Sequence, residues 1–239
     1  MTRFHLGLYR AGLALGFMVF AAFATAQTTV VVTGGEAGEG LALDPAKVLF
    51  AYNVNGSAVT VQGVSFASLD MGYGPSDGTS SAMADPFQSG QDAPDDVALR
   101  SVFQTIGWDG AGIAPLTHTF TGLAPNTTYR LDVLHFSGFW NAREVAVVIN
   151  GASAGFYDIS KTQGQDTIFD VTSDGSGNLA MLLAASGGYG GSGFQDGGNV
   201  AGFVLSTVTP VPEPATWAAL AGAGALVVAL RKRWRDRRA

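Results

Sequence analysis

The sequence predicts a mainly β fold, a jelly-roll-like β-sandwich with one short amphipathic helix, between an N-terminal signal peptide and a C-terminal transmembrane helix. Three observations lead there. Short alternating apolar segments bounded by Gly, Asn, Asp and Pro recur about ten times through the middle of the chain. A single stretch, after Pro94, carries helical spacing. Uncharged apolar runs mark both ends of the chain, each beside basic residues. The chain therefore divides into 1–26, a signal peptide, 27–210, an exported domain, and 211–239, a C-terminal tail.

In chain order, Arg3 and Arg10 supply a positive n-region, 11–22 an apolar h-region, and Ala24, Thr25 and Ala26 a small-x-small cleavage site. Signal peptidase is expected to cut after Ala26, which makes Gln27 the first mature residue. Strands follow at 29–32, 48–52, 59–61 and 64–66, with Asn53 to Gly56 read as a turn. Residues 70–92 are rich in Gly, Ser, Asp and Pro and read as a long loop. Pro94, Asp95 and Asp96 suit the first turn of a helix, where acids meet the positive end of the dipole. Leu99, Val102, Phe103 and Ile106 then form one face, so the helix should run to about Gly107.

Strands resume at 116–120 and 129–136, joined by Gly122-Leu123-Ala124-Pro125-Asn126-Thr127-Thr128-Tyr129. In such a junction the proline stiffens the turn and the tyrosine enters the core with its hydroxyl near backbone. Segments 145–149, 155–158, 166–171, 179–184 and 200–209 complete the set, and Asn150-Gly151 marks a tight hairpin. Residues 187–198 hold seven glycines in twelve positions and read as a flexible loop.

The tail has three parts in fixed order. Pro212, Glu213 and Pro214 end the domain, since proline fixes φ and withholds a backbone donor. The uncharged run 215–230 would span roughly 24 Å as a helix, a little under a bilayer's hydrocarbon thickness. Arg231, Lys232, Arg233 and Arg235 follow as a basic stop that stays on the cytoplasmic side. This arrangement resembles the PEP-CTERM sorting tail of exported proteins in Gram-negative bacteria that make extracellular polysaccharide. The resemblance implies recognition at Pro212, Glu213 and Pro214 by an exosortase, an integral-membrane enzyme that cleaves the tail. It also implies a transient stay in the inner membrane before the domain passes to the cell surface or extracellular matrix.

The domain itself, at 123–136, 143–151, 174–183 and 202–205, resembles malectin-like and galactose-binding-like carbohydrate-binding sandwiches. That resemblance implies a fold and a polysaccharide partner, and no binding residue carries over from it.

Composition narrows the remaining classes. Residues 27–210 hold five basic residues, Lys47, Arg100, Arg130, Arg143 and Lys161, against seventeen Asp and Glu, a net charge of −12. So acidic a domain is not expected to bind nucleic acid through its phosphates. Cysteine is absent, so stability rests on packing without disulfides.

No nucleophile elbow, phosphate loop or histidine zinc motif is present, and an enzyme is not expected. His118 and His135 sit in alternating strands, where a packed or surface imidazole, rather than a ligand or base, is the usual case. A carboxylate pair for glycoside cleavage would have to be assembled from aspartates distant in sequence, which leaves a glycan hydrolase as a lesser alternative.

Two stretches suit ligand contact. Phe139, Trp140 and Asn141 join aromatic faces and an amide on a short connection between strands, a combination suited to a sugar, with capping of the core by one or both rings as the competing and more usual assignment. Asp174, Ser176 and Asn178 place oxygens at alternate positions as at the start of a Ca2+ loop. They lack that loop's later glycine and closing glutamate, and an ordinary hairpin turn is the competing assignment; no cofactor is expected. The sequence thus points to a non-catalytic, carbohydrate-associated binding module, with a structural matrix protein lacking a specific ligand as the alternative.

Overall fold

Alternation of apolar and polar residues sets thirteen strands and one α-helix among the described residues. The computed structural model describes residues 27–34, 39–72, 94–108, 115–136, 143–159, 163–191 and 198–208. The first half contains β1 (Gln27–Val32), β2 (Val48–Val54), β3 (Val59–Val61), β4 (Val64–Leu69), α1 (Pro94–Phe103) and the two-residue β5 (Gly107–Trp108). The second half contains β6 (Leu116–Phe120), β7 (Thr128–His135), β8 (Arg143–Ile149), β9 (Ala152–Ile159), β10 (Gly164–Thr172), β11 (Leu179–Ala185), β12 (Asn199–Val200) and β13 (Gly202–Thr207).

Seven strands form one sheet in the order β1-β10-β7-β13-β2-β4-β3, and four form a second in the order β6-β11-β8-β9. Pairing is antiparallel throughout except between β2 and β4. Leu131, Val133, Phe169, Phe203 and Leu205 of the large sheet pack against Val145, Val147, Met181 and Leu183 of the small one. The other face of the large sheet presents Ala51, Leu134 and Val204 to Leu99, Val102 and Phe103 of α1. Both faces of the large sheet's centre are therefore buried, and β13 reads as a continuous apolar run for that reason.

Several boundaries differ from the sequence expectation. Asn53 lies inside β2, not in a turn: its Nδ2 donates to the Ser57 carbonyl at 2.8 Å and its Oδ1 accepts from Thr105 Oγ1 at 2.7 Å. Asn55 follows with φ 55°, donating to the Met71 and Ile106 carbonyls. These buried amides join the end of β2 to distant loops, a role that resembles turn chemistry in sequence.

The helix stops at Phe103 rather than near Gly107, because Gly107 opens β5. A side chain at Gly107 would meet the Met71 carbonyl oxygen at 2.6 Å. The last strand is interrupted at Ala201, giving β12 and β13. Within the expected glycine loop, Ser186–Tyr189 forms a 3-10 turn, and 192–197 lie outside the described residues.

Residues 1–26, most of the expected loop at 70–92 and the whole tail lie outside them as well. Among the described residues no helix is long and apolar enough to cross a membrane.

Candidate ligand cleft

The edge strands β1 and β9 close one flank of the sandwich, and a side chain stitches them together. Gln27 Nε2 donates to the Phe156 carbonyl, and the Phe156 N–H donates to Gln27 Oε1 at 3.3 Å. The amide of Gln27 thus takes the place of a missing strand along part of β9. Gly155 makes room for it: at φ 144° it bulges, and a Cβ there would lie 2.4 Å from Gln27 Oε1.

Beside this contact lies a cleft of about 350 Å³ lined by Gln27, Thr29, Glu144, Phe156, Tyr157, Asp158 and Gln165. Glu144 and Asp158 are direct cross-strand partners on β8 and β9, so their Cβ atoms stand about 4.5–5.5 Å apart. Partial burial, and after it the charge of Glu144, raises the Asp158 pKa. Gln165 Oε1 is buried without a hydrogen-bond partner.

A polar row leads inward from the cleft. Thr29 Oγ1 lies 3.0 Å from Thr167 Oγ1, which lies 2.9 Å from His135 Nε2. The His135 ring stacks on Tyr157 at 4.4 Å, and the Tyr157 hydroxyl donates to the Asn199 carbonyl. Complete burial lowers the His135 pKa to about 3, so the ring is neutral. His118 packs edge-on against Phe120 at 4.7 Å, with its pKa also lowered by burial. Both histidines are packed, as their strand positions suggested.

Two carboxylate pairs that sequence alone does not bring together meet here. Glu144 and Asp158 share the cleft. Asp132 and Asp166 lie on β7 and β10, 1% and 0% exposed. Arg130 Nε donates to both Asp132 oxygens at 2.9 and 3.0 Å, and its Nη2 stands 3.9 Å from Asp166 Oδ2. Burial first, then the Asp132 carboxylate, raises the Asp166 pKa well above the ordinary value, against the pull of Arg130. Burial and the neighbouring carboxylate thus both favour the protonated form of Asp166.

Of the residues singled out in the sequence, Gln27 is the first of β1 and lines the cleft. Asp174 Oδ1 accepts the N–H groups of Ser176 and Asn178, each at 2.8 Å, so the carboxylate closes its own turn and its pKa is lowered by those bonds. Among the described residues no three His, Cys, Asp or Glu side chains converge on a metal position. Phe139, Trp140 and Asn141 lie outside the described residues, as do Ala24, Ala26, Pro212, Glu213, Pro214, Arg231, Lys232, Arg233 and Arg235. Thr29, Phe156 and Gln165 escaped sequence reasoning, because each looks like an ordinary strand residue until β1 and β9 are seen side by side.

Residues 210–233 match the family described as PEP-CTERM protein-sorting motif. The chain carries that motif, which implies an exported, exosortase-processed surface protein. No curated protein matches the sequence. Among solved structures, a family 35 carbohydrate-binding module from an environmental isolate is 19% identical, with 45% of this chain and 77% of that one covered and a TM-score of 0.34. The family 35 module of Cellvibrio japonicus Abf62 is 17% identical over 43% of this chain and 72% of that one, with a TM-score of 0.33. A plant complex of the peptide RALF23 with FER and LLG2 gives 14% identity, 74% and 52% coverage and a TM-score of 0.47, so the chain spans about half of that partner's length.

Proposed function

We propose that this is an exported, non-catalytic module that binds a polyhydroxylated polymer in the cleft between β1 and β9. Signal peptidase releases Gln27 as the first residue. The run 215–230 holds the chain in the inner membrane, stopped by Arg231, Lys232, Arg233 and Arg235, until an exosortase acts at Pro212, Glu213 and Pro214. The domain then reaches the surface or matrix.

The observation that supports the ligand class is the lining of the cleft: two carboxylates and two carboxamides beside the ring of Phe156. Sugars need this mixture, hydroxyl partners with an apolar face for the C–H side of the ring. The paired charges add selectivity. Glu144 and Asp158 repel uronate, so neutral or amino sugars are the favoured class. Phe139, Trp140 and Asn141 follow β7 and offer a second aromatic contact.

The test is affinity electrophoresis of the exported protein through gels holding a neutral polysaccharide or a polyuronate. Retardation by the neutral polymer, lost roughly 10-fold in Phe156→Ala, is the expected result, the scale of one aromatic contact. Trp140→Ala should weaken binding by about 1–3 kcal/mol at unchanged melting temperature if its ring stacks on sugar. Retardation by neither polymer, together with concentration-dependent self-assembly, would replace this reading with a matrix scaffold. Release of reducing sugar would replace it with a hydrolase.

A further inference from the structure

The register of the large sheet shows where the two chain ends leave the domain. β1 begins at Gln27 opposite Phe169, toward the C-terminal end of β10. Thr172, at that end of β10, is opposite Thr128, the first residue of β7. β13 finishes with Thr207 opposite Tyr129 of β7. The start of β1 and the finish of β13 therefore point to the same end of the sandwich. Two strands lie between them, which places them about 14 Å apart at the usual strand spacing.

That end is built as one rigid cap from three turns. The Asn126 N–H donates to the Asp174 carbonyl at 3.1 Å and the Leu123 N–H to the Gly177 carbonyl at 3.0 Å. Ser173 Oγ donates to the Ala124 carbonyl at 2.6 Å, which ties the same two turns again. Asn150 joins the third, with Nδ2 donating to the Thr172 carbonyl at 3.1 Å and Oδ1 accepting the Ala180 N–H at 2.9 Å.

The composition of this cap departs from the rest of the domain. Residues 121–128, 150–152 and 172–178 contain one charged side chain, Asp174. In a domain of net charge −12, these turns are nearly neutral and their exposed surface is polar at Thr121, Asn126, Asn150 and Ser176, while the charges beside them at the start of β2, Asp44 and Lys47, pair with each other at 3.5 Å. Acidic side chains would be repelled by anionic phospholipid headgroups, and a neutral polar surface is not. Chain length supplies the second constraint. Seven residues lie between Thr207 and Ala215, eight Cα steps, so the cap stands within about 28 Å of the point where the apolar run begins.

We propose that the domain stands on this cap while the tail is in the membrane. The turns at 121–128, 150–152 and 172–178 face the phospholipid headgroups of the inner membrane, and the opposite end, where β2 and β7 finish, points outward. This orientation rests on the reading of 215–230 as a membrane segment.

The absence of cysteine makes single-cysteine reporters direct. Full-length protein carrying Ala124→Cys or Ser176→Cys on the cap, or Ser57→Cys at the far end, is labelled with a fluorophore. It is then reconstituted in vesicles of phosphatidylethanolamine and phosphatidylglycerol with a headgroup-attached quencher. At least twofold stronger quenching at Ala124→Cys and Ser176→Cys than at Ser57→Cys is the expected result. Equal quenching at the three positions, or a reversed order, with protein resistant to carbonate extraction, overturns the orientation alone. Protein that washes off the vesicles removes the membrane reading and the orientation with it. Equal quenching in vesicles with selective shielding of the cap in native membranes assigns the surface to a membrane protein instead of lipid.

Discussion

Asp166 and His135 are completely buried groups with opposite proton linkage. The carboxyl of Asp166 has its pKa raised by burial and by Asp132, so the native state holds a proton that the unfolded chain has lost. Its contribution is complete below the ordinary 3.8 and declines as pH rises toward the native value. His135, lowered from 6.5 to about 3, acts in the reverse sense: the unfolded chain takes up a proton first, so stability falls as pH drops from 6.5 toward 3. Each slope is at most about 1.4 kcal/mol per pH unit, and the two oppose each other where their ranges overlap. Asp166→Asn keeps a neutral side chain of the same shape beside Asp132 and removes one slope. The unfolding free energy of this variant, from urea titrations, should rise more steeply with pH between 4 and 6.5 than that of the parent. A variant that tracks the parent across the range would show that Asp166 ionises normally in the fold.

At the scale of the element, β9 depends on a contact with the first residue of β1. Gly155→Ala sets a methyl group against Gln27 Oε1 and asks alanine to hold φ 144°. A loss of about 1–3 kcal/mol is expected, with faster hydrogen exchange at the Phe156 amide. Gln27→Ala in the same background should recover the part due to the clash, so the double variant costs less than the sum. Additive losses would place the cost in backbone strain alone.

The same strand shows how far sequence reaches. Asn150-Gly151 announces the β8–β9 hairpin, and Ile149 does pair with Ala152. Continued without interruption, that register would set Glu144 opposite Tyr157. The bulge at Gly155 shifts it by one and brings Asp158 opposite Glu144 in its place. Thus the hairpin is local chemistry that sequence displays, whereas the carboxylate pair depends on a bulge fitted to a side chain more than a hundred positions away. The junction ending at Tyr129 was legible throughout, and its hydroxyl accepts the Ala124 N–H at 2.9 Å. Asn53 and Asn55 misled, since their partners Thr105 and Ile106 lie about fifty positions on.

For the whole molecule, sorting and folding meet at the C-terminus. Replacing Pro212, Glu213 and Pro214 together by alanine should leave export intact and keep full-length protein in the inner-membrane fraction. Normal release of the triple variant, followed by fractionation and immunoblotting, would remove the motif from the sorting step. The position of β13 bears on when the domain can fold. It is fourth of seven strands, with β1, β10 and β7 on one side and β2, β4 and β3 on the other. Chains exported from the N-terminus deliver this strand last, so the two halves of the large sheet wait as unpaired edges through nearly the whole of translocation. Such late, long-range pairing belongs to slowly folding topologies, which would suit the proposed export of the chain from its N-terminus. The sheet closes only when residues 202–207 emerge, and the next part of the chain to arrive is the sorting motif itself. Completion of the core thus becomes the event that immediately precedes presentation to the sorting enzyme.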